Sequence, residues 1–201
     1  MNELPPKLAP ALFLDRDGVI NHETDYLYRI ADVRWVDGIF PLCSTAQRLG
    51  YKLVVITNQS GIARGLYTEA DFHTLMDWMR LQFLAQNISL DAVYFCPHHP
   101  DGFGAYKREH PDRKPGPGML LRAARDLSLD LARSVLVGDR CSDIAAANAA
   151  GVAHAFLLRG TETHPCPGPH HSIDSLAAVE AWLNTQPKLA TGQLGNWETE
   201  P

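Results

Sequence analysis

The sequence predicts an α/β fold: a parallel sheet covered by helices on both faces. Two observations predict it. Short apolar runs alternate with amphipathic stretches of helical period along residues 11 to 184, which is the pattern of repeated strand-helix units. Clusters of polar residues and glycine follow several of the runs directly, where such sheets bind ligands beyond the carboxyl ends of their strands.

Ala11-Leu12-Phe13-Leu14 reads as a strand buried on both faces, because four consecutive apolar residues leave no side for water. It runs straight into Asp15-Arg16-Asp17-Gly18-Val19. Two carboxylates so close at the edge of a core repel and raise each other's pKa. A divalent cation removes the conflict, and Mg²⁺ favours a few carboxylates plus phosphate oxygens. One carboxylate can then attack phosphorus while the other moves a proton. Taken alone, the motif is equally compatible with a solvated turn.

A helix is expected over Ile39–Leu49, then a second strand over Lys52–Thr57 that ends in Thr57-Asn58-Gln59-Ser60-Gly61. A threonine hydroxyl and successive backbone N–H groups can hold a phosphate without adding charge, and Gly61 is expected to permit a tight turn. Thr68–Gln86 is the clearest helix. Thr68 and Asp71 suit its cap, while Phe72, Leu75, Met76, Met79 and Phe83 share a face that belongs in the core. A third strand is expected over Ala92–Phe95.

Arg113-Lys114-Pro115-Gly116-Pro117-Gly118 opens a helix expected over Gly118–Leu127. The prolines restrain the loop, so Lys114 near Asp15 and Asp17 would neutralise nucleophile and phosphoryl oxygens together, and the planar fork of Arg113 suits a second anion. The run Ser134–Val137 then ends in Gly138-Asp139-Arg140-Cys141-Ser142-Asp143. Asp139 is placed to complete the Mg²⁺ site. Asp143 could ligate through water, support the lysine, or cap the helix expected over Asp143–Ala150, which Gly151 would close. A fifth strand is expected over Ala153–Leu157. The segment His164-Pro165-Cys166-Pro167-Gly168-Pro169-His170-His171 is proline-dense and matches no standard metal spacing, so it reads as a surface loop. Residues 185–201 are polar and aperiodic and read as a disordered tail on a single domain of residues 1–184.

A chain of 201 residues with 45% hydrophobic and 20% charged residues suits one ordinary globular domain. The net charge of -5 and pI near 6.0 leave no basic footprint for nucleic acid. No apolar run approaches a membrane span and the N-terminus lacks a signal-peptide core, so a cytoplasmic location is expected. Cys43, Cys96, Cys141 and Cys166 lack disulfide-framework spacing and are expected to be thiols or metal ligands.

In this order the four motifs resemble the haloacid dehalogenase-like phosphatases, over roughly residues 11 to 160. The resemblance implies a Rossmann-like parallel sheet; the sequence offers no inserted cap domain of useful size, so an open site is expected. It implies Asp15 as nucleophile forming an aspartyl-phosphate, Asp17 as general acid then base, and Thr57 and Lys114 as phosphoryl stabilisers. Mg²⁺ would be held by Asp15, the backbone carbonyl of Asp17, and Asp139.

Within that family, Phe13 to Asn21, Thr57 to Gly61 and Arg113 to Pro115 are similar to the heptose 1,7-bisphosphate phosphatases and the histidinol-phosphate phosphatases. The long loop from Cys96 to Asp112 favours the heptose group. That resemblance implies removal of the 7-phosphate in heptose-nucleotide or lipopolysaccharide-precursor biosynthesis. Glu23, Thr24, Asp25, Tyr26, Thr57, Asn58, Gln59, Ser60, Arg113 and Arg140 would line the pocket for the phosphorylated sugar. Histidinol phosphate or another small phosphomonoester is the alternative substrate. A nucleic-acid 3′-phosphatase shares the Thr-Asn-Gln strand end, but the acidic balance opposes it. A non-catalytic binding module is disfavoured because every implied catalytic residue is present.

The resemblance also implies a structural zinc in the long loop, on a Cys-x-His followed by Cys-x-Cys. Here the first half stands as Cys96 and His98, while the second reads His110-Pro111-Asp112. A Cys96, His98, His110, Asp112 zinc site is chemically allowed, though structural sites favour thiolates. The alternative is a zinc-free loop held by Pro97, Pro100 and Pro111 and by packing of Phe103 and Tyr106. The small cap-free chain is expected to be a monomer.

Overall fold

Six strands pair in parallel to make one sheet: β1 (Ala11–Leu14), β2 (Lys52–Asn58), β3 (Ala92–Cys96), β4 (Val135–Gly138), β5 (His154–Leu158) and β6 (His171–Ile173). Their spatial order is β3-β2-β1-β4-β5-β6. The structure is a computed structural model that describes residues 8–159 and 165–186. The expected tail from residue 187 onward, Trp197 included, and His164 lie outside the described residues.

Side-chain alternation along the strands builds two cores, one on each face of the sheet. Leu12 and Leu14, Leu53 and Val55, and Val135 and Val137 face one way. There they meet α1 (Ile39–Arg48), α3 (Glu69–Ala85) and α6 (Leu176–Thr185). Ala11 and Phe13, Val54 and Ile56, and Leu136 face the other way, against α4 (Gly118–Asp126) and α5 (Cys141–Ala150). The expected stripe of Phe72, Leu75, Met76, Met79 and Phe83 is buried in the first core. Thr68 and Asp71 cap α3 reciprocally, and Gly151 closes α5 in the left-handed conformation.

The sequence reading missed three elements: α2 (Ser60–Ala63), β6 and α6. Only Ile173 of β6 is buried, so that strand has no apolar run to announce it. In α6, Leu176, Val179 and Leu183 are buried at helical spacing, a signal that was legible, and Thr185 ends this helix rather than beginning a tail.

One expectation is corrected outright. Cys141 and Cys166 form a disulfide, with Cα atoms 4.9 Å apart and a sequence separation of 25; Cys43 and Cys96 are free and buried. Cys166, which lies between β5 and β6 in sequence, meets Cys141, the first residue of α5. That long-range contact, not cysteine spacing, creates the pair. It also removes Cys166 from any metal site in the proline-dense segment.

The connectivity decides where the site lies. From β1 the chain winds outward to β2 and β3, then returns to the other side of β1 with β4. A crevice opens beyond the carboxyl ends of β1 and β4, where the winding reverses direction. Asp15 follows β1, Asp139 follows β4, and Thr57 is the penultimate residue of β2. Among the described residues no helix is long and apolar enough to cross a membrane.

Candidate active site

Lys114 is the buried centre of the crevice. Its ammonium lies 2.9 Å from Asp15 Oδ1 and 2.5 Å from Asp143 Oδ1, and it donates to the Ile56 carbonyl at 3.2 Å. All three of its donors are thereby used, and the two carboxylates push its pKa up against the opposing effect of burial. The loop is tied down by Asn58, whose side chain donates to the Lys114 carbonyl and accepts from the Lys114 N–H, both at 3.0 Å. Asp143 has two tasks: besides holding the lysine, its Oδ2 accepts from the Arg140 N–H at 3.0 Å at the start of α5.

Asp15, Asp139 and Asp143 bring ligand oxygens within 4.8 Å of one another, and all three are buried. Burial pushes the Asp15 carboxyl up to about 8; Lys114 opposes this, while Asp143, Asp139 and Asp17 add to it. Burial and Asp143 likewise push Asp139 up to about 7. Asp139 Oδ1 is buried with no hydrogen-bond partner. Three carboxylates around one ammonium leave excess negative charge, and an orphaned oxygen aimed into the cluster fits a divalent cation.

Asp17 faces a different set of groups. Arg16, fully buried, grips its carboxylate through Nε and Nη2 at 2.7 to 3.1 Å, and its Nη2 also donates to the Leu27 carbonyl at 2.9 Å. Asn21 Nδ2 donates to Asp17 Oδ1 at 3.0 Å and Gln59 Nε2 to Oδ2 at 3.2 Å. The acid is therefore oriented by three donors from its own turn and from the end of β2.

A cavity of about 550 Å³ opens over these groups. Asp15, Asp17, Glu23, Asp25, Tyr26, Thr57, Asn58, Gln59, Ser60, Arg113, Lys114 and Arg140 line it. Thr24 instead lines a neighbouring hollow with Asp25 and Tyr26. Arg140 and Glu23 form an ion pair of 2.9 Å at the rim. Tyr67, Pro115 and Ser142 also line the cavity, and sequence reasoning missed them. Tyr67 directly precedes the cap of α3, and no local pattern marks it; Ser142 was legible only as the residue beside Asp143.

The HAD-hydrolase-like family model matches residues 112–179. The D-glycero-alpha-D-manno-heptose-1,7-bisphosphate 7-phosphatase of Burkholderia mallei is 52% identical over 74% of this chain and 79% of its own length. The chain belongs to the haloacid dehalogenase-like phosphatases. It is also 48% identical to the D-glycero-beta-D-manno-heptose-1,7-bisphosphate 7-phosphatase of Vibrio cholerae, over 75% of this chain and 81% of that one. The solved D,D-heptose 1,7-bisphosphate phosphatase of B. bronchiseptica, complexed with magnesium and phosphate, superposes with a TM-score of 0.73 at 31% identity. That match covers 87% of this chain and 98% of the other.

As in that core, this haloacid dehalogenase-like phosphatase has no large cap. Only a short 3-10 turn, Ile30–Asp32, separates the β1 turn from α1. Zinc in the long loop is not shown. Cys96, His98, His110 and Asp112 do not gather into a metal cluster; among the described residues only the three aspartates do. The Arg108 guanidinium lies against the edge of His98, 3.3 Å from Nδ1 and 3.0 Å from Nε2, and donates to whichever nitrogen is unprotonated; the His98 and His110 rings stack with centroids 4.4 Å apart. His110 Nδ1 accepts from the Asp112 N–H at 3.1 Å, and Asp112 pairs with Arg122 at 2.7 Å. Arginines thus engage two of the four residues implied as zinc ligands, His98 and Asp112. Phe103, expected to pack, is exposed, whereas Tyr106 packs against the core.

Proposed function

We propose that this phosphatase removes the 7-phosphate of D-glycero-D-manno-heptose 1,7-bisphosphate through an aspartyl-phosphate. The observation that carries the reading is Asp15 clamped by Lys114 beside Asp139, in a cavity whose walls add Arg113 and Arg140. A substrate with two phosphates suits a site that offers one cationic centre at the reacting carboxylate and two guanidiniums farther out. The heptose phosphatases named above supply the sugar.

In the first step Asp15 attacks the phosphorus. Its Oδ1 is engaged by Lys114 and by the Arg16 N–H at 2.7 Å, which leaves Oδ2 for the new bond. Asp17 protonates the departing sugar oxygen. In the second step Asp17 takes a proton from water, which attacks the same phosphorus and breaks its bond to Asp15, releasing phosphate. Lys114 and the Thr57 hydroxyl stabilise the phosphoryl oxygens as charge spreads over them. Asp15, Asp139 and the backbone carbonyl of Asp17 would hold Mg²⁺, which would supply positive charge to offset the carboxylates and the transferring phosphoryl group.

Glu23, Thr24, Asp25, Tyr26 and Ser60 complete the sugar pocket in this reading. A doubly phosphorylated sugar does not cross a bilayer unaided, which supports a cytoplasmic location.

The test is phosphate release with Mg²⁺ from both anomers of the heptose bisphosphate, beside histidinol phosphate. Strong preference for one heptose anomer is expected. Comparable slow turnover of all three overturns the substrate, and retained activity in Asp15→Asn overturns the mechanism.

A further inference from the structure

We propose that Tyr67 and Gln59 form a positioning relay that makes Thr57 a hydrogen-bond donor to the phosphoryl group and holds Asp17 in place. The inference rests on the roles given above to Thr57 and Asp17, and assigns a task to two residues beyond them. Gln59 follows β2 and is 1% exposed. Its Nε2 lies 2.8 Å from Thr57 Oγ1 and 3.2 Å from Asp17 Oδ2, and its Oε1 accepts the Tyr67 O–H at 2.5 Å.

An amide has one donor end and one acceptor end. Reversing this one would aim Oε1 at the Asp17 carboxylate, acceptor against acceptor. The observed orientation gives all three neighbours a complementary partner. The consequence lies at Thr57. Its oxygen already accepts from Gln59, so its own proton points elsewhere, and the residue borders the cavity. A hydroxyl fixed in that sense is a preorganised donor for an oxygen gaining charge.

Tyr67 is built to keep the amide in this orientation. Its ring stacks on Tyr28 with centroids 5.4 Å apart. Burial pushes its phenol up, so it stays protonated and donating. Gly61 admits the ring, because a β-carbon there would collide with the Tyr67 edge and crowd Tyr26. Gly61 lies inside α2, so the expected tight turn is not its reason; the tyrosine is.

The experiment is a double-mutant cycle on the Mg²⁺-loaded full chain, using heptose bisphosphate turnover. Tyr67→Phe keeps the ring and removes the donor. It is expected to lower kcat about tenfold, the scale of one hydrogen bond to a fixed group, with KM changed less than about twofold. Thr57→Val lowers kcat on its own, and the double variant loses clearly less than the product of the two single losses. Gln59→Glu, of the same shape, sets a carboxylate against Asp17 and loses at least about tenfold. It stands in for Tyr67→Phe should that variant fold poorly. Multiplicative losses, or an unchanged kcat in Tyr67→Phe while Thr57→Val and Asp17→Asn are both impaired, overturn the relay alone. Unchanged kcat in Thr57→Val and Asp17→Asn overturns the catalytic reading beneath it.

Discussion

Gly18 lies directly against the carboxylate of Asp139, so that a β-carbon at position 18 would collide with it. The φ of Gly18 is +83°, a conformation L side chains rarely adopt. The glycine of the first motif therefore does two jobs: it turns the chain after Asp17 and makes room for Asp139, a carboxylate of the candidate metal cluster that follows β4. Gly18→Ala must either strain the turn or displace Asp139. The Mg²⁺ concentration for half-maximal activity is expected to rise at least about tenfold, with a lower melting temperature. An unchanged Mg²⁺ requirement would mean that Asp139 moves without consequence.

Asn58 acts on Lys114 as a strand partner would, exchanging two hydrogen bonds with its backbone. Asn58→Ala leaves both backbone groups without that partner, a loss of about 1–3 kcal/mol where no water replaces it. Because the lysine is the cationic centre of the site, kcat is expected to fall about tenfold. Turnover and thermal melting measured side by side test this. Full activity with a lowered melting temperature would confine Asn58 to stability.

Stability should depend on pH in an unusual direction for aspartates. Burial pushes Asp15 up to about 8 and Asp139 up to about 7, well above ordinary unfolded values near 4. The folded, metal-free chain thus holds protons that the unfolded chain has released. Their contribution is full below about pH 4 and is lost as pH rises through both folded values. Melting temperature in EDTA should fall between pH 5 and pH 9, while the increment from added Mg²⁺ grows over the same interval because the cation replaces those protons. A Mg²⁺ increment independent of pH would contradict the raised values.

Arginines brace the loop from Cys96 to Asp112. Arg108 clamps His98 and Arg122 clamps Asp112. Exhaustive chelation followed by return of Mg²⁺ alone should restore full activity, and metal analysis should find no stoichiometric zinc. Arg108→Ala is expected to raise KM several-fold with a smaller change in kcat, since the loop borders the sugar pocket through the contact of Arg113 Nη1 with the His98 carbonyl at 3.4 Å. Zinc recovered at one equivalent would refute the clamp.

Much of the fold was legible because its signals are local. β1 begins and ends where four consecutive apolar residues stand, and α3 is marked by its cap and its stripe. The carboxylates of Asp15 and Asp139 stood out because each directly follows a strand, and Lys114 because it sits in the proline- and glycine-punctuated loop that leads into α4. Asn58 and Gln59 were legible as residues of the site but not in their tasks. An amide in a motif says nothing of which partner it faces.

The sequence by itself determined the alternation of strands and helices, the strand-end motifs and the chemistry those residue types can perform. Hydrophobic periodicity and turn chemistry act over a few residues and can be read in one dimension. Only the tertiary structure decided that Arg16 is buried to grip Asp17, that Tyr67 donates to Gln59, that Cys141 meets Cys166, and that arginines reach His98 and Asp112 in the long loop. Each of these depends on which segments the parallel sheet brings side by side. Contacts between chain-distant groups in a close-packed interior leave no pattern in the neighbouring residues.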